Sequence, residues 1–247
     1  MKKAWFHIHH PDTPYSGDEA PYADPAAFRW TKEFEENTEV IFSELKEYLK
    51  AHDLDGYFIT SMVSRKNSWK TISTTSWGIQ QYRNQKYFPK TTALVRKYPE
   101  LVSASFNLLE AKSNIHPHCG DTNTIYRCHL GLEIPGGLPE CGMKVKGQDR
   151  AWQNGKWLVF VDAYDHEAYN QTDRNRFIFV VDVIRDEFRE KKGYICATVR
   201  TSLFLQRRWQ RSAFLKNLSA GTIGRVAKLG TPFMRIAIGM VNFFKVY

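Results

Sequence analysis

The chain has 247 residues, 43% of them hydrophobic and 25% charged, with a formal net charge of +9. That suits one sizeable core, and it excludes a disordered or collagen-like chain. No apolar run approaches the roughly 20 residues needed to cross a bilayer.

The first residues are basic and lead into histidines and prolines. They lack the apolar centre of a signal peptide, which predicts a cytoplasmic protein. The cysteines Cys119, Cys128, Cys141 and Cys196 form no C-x-x-C pair, so reduced thiols are expected and neither a zinc site nor a disulfide framework. The charge is unevenly spread. Residues 191–247 carry 11 Lys+Arg and no Asp or Glu, whereas residues 1–190 carry 24 basic and 26 acidic groups. A strongly basic end on a near-neutral body points to an anionic partner. No nucleic-acid motif accompanies it, so nucleic acid is not the expected one.

In chain order, residues 1–23 read as irregular. Asp24-Pro25 then reads as a helix start, with Asp as cap and Pro at the first helical position. Residues 31–51 read as an amphipathic helix, with Phe34, Thr38, Ile41, Leu45, Tyr48 and Leu49 at helical spacing. After Asp55-Gly56 the pattern changes. Residues 57–63 and 69–77 are rich in β-branched and aromatic types and predict strands. A short helix is expected near 90–98. Residues 102–109, 124–134, 142–146, 156–162 and 176–184 again predict strands. Asn154-Gly155, between Trp152 and Trp157, signals a hairpin. Gly136-Gly137 and Gly147 mark further turns. From about residue 193 the pattern is helical, with Arg207, Arg208 and Arg211 among Leu203, Phe204 and Trp209. Residues 226–247 are apolar apart from Lys228, Arg235 and Lys245. Many short strands between helical ends predict a mainly β protein, a sandwich or jelly roll with helical cover. The expected division is a main domain over 1–192 and a basic helical extension over 193–247.

The chemistry is concentrated in residues 106–183. His118 and His166 stand at the edges of extended segments beside turn residues, and imidazole nitrogen is a good ligand for divalent iron. Arg176 opens the apolar run Phe177-Ile178-Phe179-Val180-Val181. A guanidinium buried there needs a partner, and a carboxylate held by two parallel hydrogen bonds is the natural one. Taken singly, each of these residues also fits a structural role. The cluster His7, His9 and His10 reads as surface histidines. His116 reads as a support for its neighbour, and Asp162 and Asp165 as loop caps or hydrogen-bond partners of a ligand.

Together the motifs are more specific. His118-Cys119-Gly120, Arg127-Cys128-His129-Leu130-Gly131-Leu132, Trp152…Gly155…Phe160-Val161-Asp162…His166-Glu167 and Asn170…Arg176 follow in order. From about Trp69 to Asp186 the chain resembles the aspartyl/asparaginyl β-hydroxylase family of 2-oxoglutarate oxygenases. The resemblance implies a double-stranded β-helix of the jelly-roll, cupin-like kind. It implies iron(II) held by His118 and His166, with dioxygen as oxidant. It implies 2-oxoglutarate held through its distal carboxylate by Arg176. Arg127 and His129 would lie beside the metal and contact cosubstrate or substrate. Asn107, where the family often has Ser, would also lie near the cosubstrate. Many non-haem iron oxygenases carry His-x-Asp in the first motif. Here Gly120 takes the third position, so a water is expected in place of that ligand, as in similar members of the family. Asp121 is one residue out of register.

The implied reaction hydroxylates an unactivated C–H bond, with succinate and carbon dioxide as coproducts. The family's substrate is the β-carbon of an amino acid or peptide. Vertebrate members, however, carry Arg-x-Arg where this chain has Ile125-Tyr126-Arg127, and the first Arg helps to hold the acidic substrate. Relatives that hydroxylate lipid A or ornithine lipids make a membrane-lipid acyl chain the alternative. The basic extension 193–247 fits either an anionic membrane surface or packing on the sandwich. The reading from another class is a non-catalytic jelly-roll binding protein.

Overall fold

Side chains on a strand alternate between its two faces, and here that alternation separates a structural core from a cavity. The computed structural model describes residues 3–247. The chain begins with β1 (Tyr22–Ala23), α1 (Thr31–Glu36), α2 (Thr38–Leu49), β2 (Asp55–Gly56), β3 (Trp69–Ser76) and β4 (Ile79–Gln80). Next come α3 (Tyr82–Gln85), α4 (Pro89–Arg96), β5 (Leu101–Leu109), β6 (Ser113–His118), β7 (Ile125–Glu133) and β8 (Cys141–Val145). It ends with β9 (Gln148–Arg150), β10 (Trp157–Phe160), β11 (His166–Asn170), β12 (Arg176–Ile184), α5 (Lys192–Arg211), α6 (Ala213–Lys216) and α7 (Ala220–Phe244).

One sheet runs β1-β10-β7-β12-β5-β3-β2, with β4 paired to β3; the other runs β6-β11-β8-β9. Neighbouring strands are antiparallel throughout. This is the mainly β, double-stranded β-helix expected from the sequence, with helices before and after it.

The outer face of the large sheet carries Phe106, Leu108, Leu130, Phe179 and Val181. They meet Trp30, just before α1, and Phe34, Ile41 and Leu45 of α1 and α2. The inner face carries Leu109, Phe160 and Ile178, which meet Ile115, Met143, Val145 and Ala168 of the small sheet. Each large apolar side chain so buried contributes about 1.5–3 kcal/mol. A third cluster joins Ile195, Cys196 and Val199 of α5 to Trp77, Val102, Ile125 and Phe188. The extension therefore packs on the sandwich through α5, and α7 packs on α5.

Several sequence expectations need correction. The single helix over 31–51 is two, because Asn37 interrupts it: its Nδ2 donates to the Glu33 carbonyl at 2.8 Å and competes with the backbone ladder. Asp24 does cap, accepting from the Ala26 N–H at 2.9 Å, but it starts only a 3-10 turn, Pro25–Ala27. Residues 57–63 are not a strand. β2 ends at Gly56, a 3-10 turn covers Thr60–Met62, and Val63 bridges to Ile115 of the other sheet. A segment that crosses between sheets cannot extend one ladder.

Asn154-Gly155 is a turn, with Gly155 at φ +71°, but not a hairpin. β9 belongs to the small sheet and β10 to the large one. The Asn154 side chain accepts from the Ile134 N–H and the Gly155 N–H donates to the Gly131 carbonyl, both at 2.8 Å, which fixes a corner between the sheets. The tight hairpin lies at Lys146-Gly147, both at positive φ, between β8 and β9.

Candidate active site

His118 ends β6 and His166 begins β11, directly opposite each other in the antiparallel register. Their ring centroids are 4.2 Å apart. Each Nδ1 lies 2.8 Å from the carbonyl oxygen two residues earlier, that of His116 and that of Tyr164. A carbonyl only accepts, so each Nδ1–H donates and each Nε2 keeps a lone pair. Burial lowers the pKa of His166 to about 4; burial and the neighbouring His166 lower that of His118 to about 3. Both rings are neutral at pH 7, the form that binds a metal.

Gly120 has a steric reason to be glycine. A Cβ at this position would lie 1.8 Å from Oδ2 of Asp162, and the Gly120 N–H donates to the Asp162 carbonyl at 2.8 Å. The Asp162 carboxylate therefore fills the space that a side chain at 120 would enter. Its Oδ1 lies 3.6 Å from His166 Nε2, and its buried Oδ2 has no hydrogen-bond partner among the described residues. Gly120→Ala is expected to destabilise the protein by about 1–3 kcal/mol, the range for overpacking a close-fitted interior. Urea unfolding checks this; an unchanged midpoint would contradict the contact with Asp162.

Arg127 of β7 holds both neighbouring carboxylates. It clasps Asp182 through Nε at 2.8 Å and Nη2 at 3.1 Å, and Asp162 through Nη1 at 2.6 Å. Burial works against its charge, but the two carboxylates outweigh that and raise its pKa. Burial pushes the pKa of both carboxylates up, while Arg127 opposes the shift. One cation against two carboxylates makes this side of the site favour an added positive charge.

The opposite holds at Arg176. It is 1% exposed at the start of β12, and its guanidinium carbon lies 4.7 Å from the Trp152 ring centroid. Among the described residues no carboxylate pairs with it, and its buried Nε has no hydrogen-bond partner. Burial lowers its pKa to about 10, so it remains a cation at pH 7. His129 is buried nearby, and its Nδ1 accepts from Trp152 Nε1 at 3.3 Å. That leaves its Nε2 as an N–H donor. Asn107 accepts from Trp69 Nε1 at 3.0 Å and donates to Ser105 Oγ at 2.9 Å.

Strand parity explains the gathering. Residues 176, 178, 180 and 182 of β12 line the cavity, as do 127 and 129 of β7 and 103, 105 and 107 of β5. All six residues singled out from the sequence, Asn107, His118, Arg127, His129, His166 and Arg176, line one cavity of about 1080 Å³. Among the described residues no group of three or more His, Cys, Asp and Glu is arranged to hold a metal ion, so the histidines stand as a pair. Asp121 also lines the cavity and accepts from Ser202 Oγ of α5 at 3.0 Å, and burial followed by Asp162 raises its pKa to about 6. The His7–His9 turn packs against α7.

Sequence reasoning missed Asp182, although a lone acid within Phe177–Ile184 was a signal of a buried ion pair. It also missed Tyr57, which stacks on Trp69 with centroids 3.7 Å apart and forms part of the cavity wall. The extension contributes to the same wall through Leu203, Arg207, Trp209 and Ile223.

The model of the family described as Aspartyl/Asparaginyl beta-hydroxylase matches residues 35–186. Ornithine lipid ester-linked acyl 2-hydroxylase of Rhizobium tropici is 35% identical over 170 residues, covering 67% of this chain and 60% of that protein. Aspartyl/asparaginyl beta-hydroxylase of Homo sapiens is 31% identical over 127 residues, covering 49% of this chain and 16% of that protein. This chain thus spans about 60% of the first relative's length and much less of the second. Among solved structures, a Pseudomonas putida prolyl-4-hydroxylase is similar at 13% identity and a TM-score of 0.41, covering 61% of this chain and 87% of that one.

Proposed function

This chain belongs to the aspartyl/asparaginyl β-hydroxylase family, and on that premise we propose that it is an iron(II)- and 2-oxoglutarate-dependent hydroxylase. The observation that carries the reading is Arg176, a buried cation with no anionic partner, in the same cavity as two neutral, facing histidines. Burying an unpaired charge costs several kcal/mol, so the site is built for an anion that arrives from outside.

The residues fit the groups that the family implies. His118 and His166 would hold iron(II) through Nε2. The carboxylate of Asp162, with one oxygen unpartnered, adds negative charge and a free acceptor beside them. Arg176 would hold the distal carboxylate of 2-oxoglutarate, and the His129 N–H and Asn107 offer further polar contacts. Bound there, iron and 2-oxoglutarate supply the oxidising power by which dioxygen hydroxylates a C–H bond, with succinate and carbon dioxide as coproducts. The protein's own part is placement. The backbone carbonyls of His116 and Tyr164 fix the two imidazole tautomers. Arg127 pins Asp162 and Asp182 beside the two histidines.

For the substrate, we favour a membrane-lipid acyl chain over an aspartyl side chain. Ile125, where the vertebrate pattern has an Arg, is fully buried in the cluster with α5 and offers no cation for an acidic substrate. The cavity wall carries Phe58, Ile59, Met62, Leu203, Trp209 and Ile223, which suit an alkyl chain. The Rhizobium relative is itself named for hydroxylating a lipid acyl group. Purified protein with iron(II) is expected to release succinate from 2-oxoglutarate, faster when the right substrate is added. Mass spectrometry of lipid and peptide extracts should then show a product with one added oxygen atom. No 2-oxoglutarate consumption with any substrate would remove the enzyme reading in favour of a binding protein. Oxygen found only on a peptide would remove the lipid reading.

A further inference from the structure

α7 leaves an unpartnered apolar stripe. Leu229, Phe233, Ile236, Met240 and Phe243 recur at three- and four-residue spacing along one face, with Phe244 beside them. Leu229 and Phe233 are 74% exposed and Phe243 is 80% exposed. The opposite face is spoken for, since Ala227 and Thr231 are buried and Gly224 sits against the Ile8 carbonyl. Scattered exposed apolar residues are ordinary, but a continuous stripe of large ones marks a contact surface.

Charge identifies what covers it. Arg225 and Lys228 are exposed beside the stripe, Arg235 is exposed further round the helix near Gly193 of α5, and no acidic residue occurs anywhere in 191–247. A symmetric pair of copies through this face would bring two cationic borders together, with no carboxylate in the extension to neutralise them. An anionic bilayer surface supplies both an apolar phase for the phenylalanines and counter-charge for the border. No helix among the described residues is long and apolar enough to cross a membrane, so the helix would lie in the interface.

We propose that α7 docks this protein on anionic membrane, with Leu229, Phe233, Ile236, Met240, Phe243 and Phe244 entering the acyl region. The use of this face rests on the lipid reading above. The helices that carry it also wall the cavity, through Leu203 and Trp209 of α5 and Ile223 of α7. A docked molecule would therefore hold its cavity wall close to the acyl chains that it is proposed to hydroxylate.

The test is co-sedimentation of the full chain with vesicles of phosphatidylcholine alone or mixed with phosphatidylglycerol. Binding is expected only to the anionic vesicles, and it should weaken as salt screens the charges. The double variant Phe233→Glu/Phe243→Glu should bind at least about tenfold more weakly, because each change removes a large buried apolar group at the membrane. Both residues are exposed, so its circular dichroism should match wild type. Absence of binding to anionic vesicles, equal binding by the variant, or a stable dimer that the variant dissolves would each overturn the proposal. Vesicle binding without lipid-dependent 2-oxoglutarate turnover would keep the docking and remove the acyl-chain substrate. Turnover of detergent-dispersed lipid without vesicle binding would do the reverse.

Discussion

Replacing either histidine, as His118→Ala or His166→Ala, is expected to abolish iron binding and 2-oxoglutarate turnover while the fold stands. The two rings face each other across β6 and β11, with both Nδ1 atoms tied to backbone carbonyls. Each variant would remove one of the two Nε2 atoms proposed to hold iron. Losing an outer partner of a metal ligand typically costs 10–100-fold, so loss of a ligand itself should exceed about 100-fold. Both rings line a cavity, so neither truncation removes a central core contact. Anaerobic iron retention and succinate release measure the effect. Full turnover in either variant would mean that the metal sits elsewhere.

Arg176→Met separates cosubstrate binding from stability. In the proposed complex Arg176 meets a carboxylate out of water, and truncating such a pair costs about 2–5 kcal/mol. The KM for 2-oxoglutarate should therefore rise from roughly 30-fold to several thousand-fold, with iron binding retained. Stability should move the other way or not at all. Among the described residues no carboxylate pairs with the buried Arg176, and replacing an uncompensated buried ion with an apolar chain of similar length relieves a desolvation cost. Thermal melts distinguish the roles. The metal-free variant should melt no lower than wild type, and 2-oxoglutarate should raise the melting temperature of iron-loaded wild type only. A variant that melts much lower yet binds 2-oxoglutarate normally would make Arg176 a structural residue.

Much of this site was legible in the sequence, because parity along apolar strands is a strong constraint. Once 176–184 is a buried strand, Arg176 and Asp182 must share a face with Ile178 and Val180. The same logic puts Arg127 with His129. The strands that carry the two histidines were harder. Ser113–His118 and His166–Asn170 are short and rich in Asn and His, with the single Ile115 against the long Val/Ile run of β12. The motifs marked those histidines; strand propensity did not. The contact between Gly120 and Asp162 was out of reach, since two residues 42 positions apart meet only through the fold. Residues 57–63 misled for a related reason. Tyr57 and Phe58 look like strand residues, but they turn inward to wall the cavity as the chain crosses between sheets. Likewise the sequence marked 226–247 as apolar, but only the packing of α5 and α7 decides which face stays bare.

The most direct test of the central claim is anaerobic equilibrium dialysis of the purified full chain against iron(II) and labelled 2-oxoglutarate. One iron per chain is expected in wild type and in Arg176→Met, and none in His118→Ala or His166→Ala. Iron-loaded wild type should retain 2-oxoglutarate and Arg176→Met should release it. Wild type that keeps no iron, or 2-oxoglutarate held equally by wild type and Arg176→Met, would rule out this site.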